Sequence, residues 1–204
     1  MHQLLKQVLL VCACLLAEQV IADSLTDGKN AYVVGKYAKA EKLFRPLAKQ
    51  GNAEAQTSLG RMYAEGQGVR QNYKEAVKWF RLAAEQGHAS AQQSLGVMYD
   101  KGRGVPKDYN EAMKWFRLAA EQGNASAQQN LVVMYSEGHG VPQDYVLALM
   151  WEYISASNAA IADSEGQTQL IEQPNSVAMH MTTKQIAKAR GLAGKCTVNQ
   201  FKGC

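Results

Sequence analysis

KWFRLAAEQG occurs twice in this chain, at Lys78–Gly87 and again at Lys114–Gly123. The second copy lies 36 residues after the first, and ASAQQ recurs at the same offset, at Ala89–Gln93 and Ala125–Gln129. Self-similarity at a fixed period of this size marks a repeat array, in which each unit buries its apolar face against the next. The units run 52–87, 88–123 and 124–159. Each opens on an alanine-rich stretch carrying Leu59, Met62 and Tyr63, then Leu95, Met98 and Tyr99, then Leu131, Met134 and Tyr135. Each passes through Gly-x-Gly-Val at 66–69, 102–105 and 138–141, and ends on a second stretch around Trp79, Trp115 or Trp151.

Both halves have helical spacing. Ala55, Leu59, Met62 and Tyr63 fall on one stripe, and Tyr73, Ala76, Val77, Phe80, Ala83 and Ala84 on another, each with a period near ~3.6 residues. Asn72-x-x-Glu75 and Asp108-x-x-Glu111 have the form of capping boxes; Asp144 keeps the cap, with Leu147 in place of the glutamate. Gly87 and Gly123 follow the second helices, where a left-handed residue closes a helix without a Cβ clash. Gly60 and Gly96 lie inside first helices and predict close helix approach near Ala76 and Ala112; Val132 takes their place in the third unit and predicts looser packing there. The Trp and Met series read as inter-repeat core.

The pattern Ala-x-x-x-Leu-Gly-x-x-Tyr, Gly-x-Gly-Val, Asp-Tyr, Ala-x-x-Trp-Phe, Ala-Ala-x-Gln-Gly resembles the Sel1-like repeat family, a relative of the tetratricopeptide repeat. The third unit departs from it at Val132, Leu147 and Tyr153. The resemblance implies an all-α fold, a right-handed α-solenoid of stacked antiparallel helix hairpins. Tyr37, Ala40, Phe44 and Ala48 stand 36 residues before their counterparts. Residues 23–51 are therefore expected to form an N-terminal capping hairpin turning at Gly35, with Pro46 kinking its second helix or marking its edge. Residues 160–204 are expected to cap the other end, with a helix near 183–193 opened by Thr182-x-x-Gln185, because a solenoid must cover its last apolar face.

The first residues read as a targeting segment. Val8–Ala17 (VLLVCACLLA) is an apolar run too short to span a bilayer, and Val20-Ile21-Ala22 suits a signal peptidase. Residues 1–22 are expected to be a signal peptide cut after Ala22, placing the chain in the periplasm or outside the cell. A lipobox-like reading with Cys14 lipidated, and an uncleaved anchor, stay open. Cleavage removes Lys6 and Glu18 and leaves the net charge at +4, too dispersed to argue for nucleic acid. The basic run Lys36, Lys39, Lys42, Arg45 and Lys49 reads as a solvated helix face. Cys196 and Cys204 remain, and are expected to pair in an oxidising compartment.

No nucleophile motif of the Gly-x-Ser-x-Gly or Ser-x-x-Lys kind occurs, nor His-Glu-x-x-His. His88, His139 and His180 occupy different repeat positions and do not read as a metal set. The glycine turns lack the preceding strand and the Lys-Ser/Thr of a phosphate loop. No catalytic residue, cofactor or metal is expected. The resemblance implies a scaffold that binds another protein or peptide, and a monomer is expected; with the curvature of tetratricopeptide arrays its first helices line the concave face. Its surface there includes Thr57, Arg61, Gln93, Val97, Gln129 and Val133. Some cysteine-rich relatives are linked to β-lactam chemistry, so a cell-wall or β-lactam hydrolase is one alternative; a secreted host- or surface-directed factor is another.

Overall fold

A computed structural model describes residue 19 and residues 21–162 and 177–198, with the backbone alone at 158–162 and 198. The apolar run at 8–17, Cys14, the stretch 163–176 and Cys204 lie outside the described residues. The described residues form helices and turns with no strand. The helices are α1 (residues 21–33), α2 (Tyr37–Lys49), α3 (Ala53–Glu65), α4 (Tyr73–Glu85), α5 (Ala89–Lys101), α6 (Tyr109–Ala120), α7 (Ala125–Glu137), α8 (Tyr145–Ala162) and α9 (Thr183–Val198), with a 3-10 turn at Ala178–His180. None of them is long and apolar enough to cross a membrane.

The helix ends follow from their residues. Asn52 and Asn124 cap α3 and α7 by accepting from the backbone N–H three residues on, both at 2.9 Å. Asp108 accepts from Asn110 and Glu111, and Asp144 from Val146 and Leu147. Loss of the glutamate at Leu147 therefore leaves the cap standing, because the aspartate side chain carries it alone. Thr182 and Gln185 bond reciprocally at the start of α9. Pro46 does not end α2, which runs on to Lys49. The bond Pro46 forgoes would reach the Lys42 carbonyl, and both residues lie on the exposed face.

The chain divides into two compact units, residues 1–83 and 84–204. In the first, α2 packs on α3 around Ala40, Phe44, Leu47, Leu59 and Met62, all buried. Lys29–Glu54 at 2.5 Å and a hydrogen bond from the Tyr32 hydroxyl to Glu65 tie α1 to α3. In the second, α5 packs on α6, α6 on α7, α7 on α8 and α8 on α9. Phe116, Leu131, Leu149, Trp151 and Ile154 form its centre, continued by Val177, Ala189, Ala193 and Cys196 from the C-terminal segment. Burying a large apolar side chain stabilises the fold by about 1.5–3 kcal/mol, so these residues hold the hairpins together.

The interior glycines face something other than the alanines expected. A Cβ at Gly60 would meet the Phe80 ring at 2.7 Å, and one at Gly96 the Phe116 ring at 2.6 Å. The partner is thus one helical turn beyond Ala76 or Ala112. In the third repeat Val132 replaces the glycine and Glu152 replaces the phenylalanine. The exchange is paired: the valine gains bulk where the ring is lost, and neighbouring Leu131 and Trp151 are 0% exposed.

The turn glycines have a second constraint besides positive φ. A Cβ at Gly68 would stand 2.8 Å from the Tyr37 carbonyl oxygen, and one at Gly140 2.7 Å from that of Tyr109. Each turn abuts the first residue of the previous hairpin's second helix, where only glycine fits.

Candidate functional site

The first helices place the expected contact residues unequally. On α3, in the first unit, Thr57 is buried at 4% exposure and its hydroxyl donates to the Ala53 carbonyl at 2.7 Å. It belongs to the helix packing and not to an open face, whereas Arg61 is exposed. In the second unit, Gln93 on α5 is half-buried and Gln129 on α7 exposed. One turn further on, Val97 packs against the core while Val133 is 46% exposed.

Adjacent to these lies a second set of glutamines, buried and outside the expected contact residues. Gln56, Gln92 and Gln128 are 3%, 4% and 0% exposed. Their side-chain amides donate to the carbonyls of Ala48, Ala84 and Ala120 at 3.0, 3.1 and 3.2 Å. Each glutamine joins a first helix to the end of the second helix before it. The sequence held the signal: each stands three residues before Leu59, Leu95 or Leu131, inside the apolar stripe, where a polar side chain must find a partner.

A second joint repeats beside it. Arg45 on α2 donates to the Tyr63 hydroxyl at 2.9 Å, and Arg117 on α6 donates to that of Tyr135 at 2.5 Å. The bonds to Tyr63 and to Glu41 push the Arg45 pKa above its ordinary value. Burial first, and then Glu65, raise that of Tyr32. At the next joint the roles reverse: Tyr153 stands on α8, 36 residues after Arg117, and the Arg190 guanidinium of α9 lies 5.7 Å from the centre of its ring. The family departure at Tyr153 thus matches the capping helix.

His139 stacks on Tyr109 with ring centroids 4.3 Å apart, and His180 on Tyr145 at 5.3 Å. The 3-10 turn therefore meets α8 much as a repeat turn meets α6. No group of three or more His, Cys, Asp or Glu suited to a metal occurs among the described residues. Cys196 is buried, with Sγ 3.9 Å from Met150 Sδ. The indole N–H groups of Trp79, Trp115 and Trp151 are buried and meet no acceptor among the described residues. Trp115 and Trp151 are core, and Trp79 packs against the core of the first unit.

Comparison with known proteins agrees with this geometry. The Sel1 repeat model matches residues 25–52, 53–88, 89–124 and 125–158, so a repeat falls on the N-terminal hairpin as well. Among solved structures, the chain is similar to c5321, described as a protective antigen of uropathogenic Escherichia coli strains displaying an SLR fold. The identity is 44% and the TM-score 0.64, over 67% of this chain and 30% of that one. A Sel1 repeat protein from Oxalobacter formigenes is 38% identical with a TM-score of 0.62, over 66% of this chain and 55% of that one. The chain thus spans well under two thirds of either neighbour's length. No curated protein matches it. With four matched repeats and packed antiparallel hairpins, the fold class is the all-α solenoid of stacked helix pairs, and the chain belongs to the Sel1 repeat family.

Proposed function

We propose that this protein is a non-enzymatic scaffold of the bacterial cell envelope that holds another protein against its first helices. Sel1 repeats typically serve protein–protein interaction. The observation that carries the reading is the common register of Gln93 with Gln129 and of Val97 with Val133. Gln92 and Gln128 are spent on the helix joints, while Gln93 is half-buried and Gln129 and Val133 are exposed. An amide beside an aliphatic surface suits a peptide backbone and its side chains. Export with cleavage after Ala22, and a Cys196–Cys204 disulfide, complete the proposal.

The test is capture from the envelope fraction with crosslinking and mass spectrometry. A bait recovered from that fraction should begin at Asp23 and show no alkylatable thiol before reduction. The wild-type chain should crosslink one dominant protein through α5 and α7. Gln93→Glu with Gln129→Glu should weaken capture about tenfold or more, since each change introduces a charge at the contact. Unchanged capture would remove the groove assignment.

A second reading, display at or release from the cell surface, draws on c5321, which is described as a protective antigen. Recovery of the chain in medium or on intact cells, and not in the periplasmic fraction, would favour it.

A further inference from the structure

A solvent-open cleft of about 600 Å³ lies at the α3–α4 turn of the first unit, lined by Tyr63, Val69, Arg70, Gln71, Asn72 and Glu75. Its size is within the range that holds small ligands or side chains, roughly 300–1,000 Å³. Most of its polar groups are already engaged. Asn72 caps α4 through the Glu75 N–H at 3.2 Å. Gln71 donates to the Ala64 carbonyl and the Tyr73 hydroxyl. Glu75 is paired with Lys78 at 2.5 Å, so its charge is offset.

Two donors of the lining can still take an acceptor from outside. The Arg70 guanidinium is exposed and has no ion-pair partner among the described residues. The Tyr63 hydroxyl accepts from Arg45, which leaves its own proton for another acceptor. Val69 adds an apolar wall that also packs on the core.

The other repeats show that this arrangement is particular to the first. Arg70 corresponds to Pro106 and Pro142, and Glu75 to Glu111 and Leu147. Tyr135, at the position of Tyr63, is 4% exposed, with Val141 and Leu147 packed against the same core; Tyr63 is half-buried. The third repeat thus closes with apolar side chains the place where the first presents a cation and a hydroxyl.

We propose that this cleft binds a carboxylate carried on a peptide segment, with Arg70 and Tyr63 donating to its oxygens and Val69 covering the methylenes beside it. The inference rests on the protein-binding reading above and names the chemistry of a partner segment. A guanidinium and a hydroxyl lining one cleft can each donate to an oxygen of an aspartate or glutamate side chain or of a chain terminus.

The test uses the full mature chain and fluorescence anisotropy. The probes are labelled hexapeptides carrying Asp or Glu at each position in turn, and a matched Asn/Gln series. Acidic peptides should bind about tenfold or more tightly than their amides, as expected for loss of a charge-assisted hydrogen bond. Arg70→Pro, which installs the residue used at this place in the next two repeats, should erase the preference, and so should Arg70→Gln, which leaves the turn backbone unconstrained. Tyr63→Phe should weaken acidic binding several-fold and leave the amide series unmoved. Equal affinity for both series, or a preference that survives both Arg70 variants, would overturn the proposal. Competition by succinate as effective as the best peptide would also overturn it, in favour of a small-molecule carboxylate site. If the acid preference is absent or survives both Arg70 variants while the wild-type chain still captures the envelope partner through α5 and α7, the cleft assignment fails and the groove reading stands.

Discussion

At residues 92–93 and 128–129 two glutamines stand side by side, and burial separates their roles. The first of each pair is buried and satisfies a carbonyl at the end of the preceding helix; the second is less buried, Gln93 in part and Gln129 exposed. Glu152 is a residue of the opposite kind, a carboxyl placed where the three other repeats carry a phenylalanine. Its Oε2 is buried without a partner among the described residues, and burial raises its pKa. A carboxyl whose pKa is raised by folding binds its proton more tightly in the native state. Its contribution is therefore fully favourable below the unfolded value near 4.5 and is lost as pH rises through the higher folded value. Glu152→Gln should leave thermal stability at pH 4 nearly unchanged and raise Tm by a few degrees at pH 7, read by circular dichroism. A gain of equal size at both pH values would mean that shape, and not charge, sets the effect. Val132, Leu147 and Tyr153 are visible in the sequence as departures, whereas Glu152 is not, because a carboxylate at that register looks like any other helix-surface glutamate until its burial is known.

At the scale of the element, the hairpins of the first two units are closed by a glycine against an aromatic ring, Gly60 on Phe80 and Gly96 on Phe116. Gly96→Val should drive a branched side chain into the Phe116 ring and cost about 1–3 kcal/mol in urea denaturation. The third repeat shows the compensated form, with Val132 and Glu152 exchanged together. Gly96→Val combined with Phe116→Glu should therefore cost less than the sum of the two single changes, by at least about 0.5 kcal/mol. Strict additivity would show that the two positions do not share one space. Helix starts, turns and the repeat period were legible in the sequence because each is a local or periodic signal. The identity of the ring facing each glycine was not, because it depends on how far one helix slides along the other. At Gly60 and Gly96 the nearest side-chain atoms belong to a phenylalanine one turn beyond the alanine.

At the scale of the whole molecule, an array of hairpins must end, and α9 ends it. Its buried Ala189, Ala193 and Cys196 lie against α8, while Arg190 reaches the Tyr153 ring. Ile154 is 0% exposed although Leu118, at the same register one repeat earlier, is 38% exposed, so the last repeat covers a position that the one before leaves open. Ala189→Asp should place an unpaired charge in this interface at a cost of ~3 kcal/mol. Light scattering should then show self-association through the uncovered α8, whereas a monodisperse variant of unchanged stability would mean that α9 is not the cap.

The sequence by itself determined the period of 36 residues, the helical stripes, the caps and the family, all properties that repeat or act within a few residues of chain. Tertiary structure alone decided which glutamine of each pair is a joint and which a surface. It also set what each interior glycine faces, and why the first repeat holds an open cleft where the third is closed. These depend on burial and on side chains brought together from separate helices, and a side chain's surroundings are fixed only once the neighbouring helix is in place.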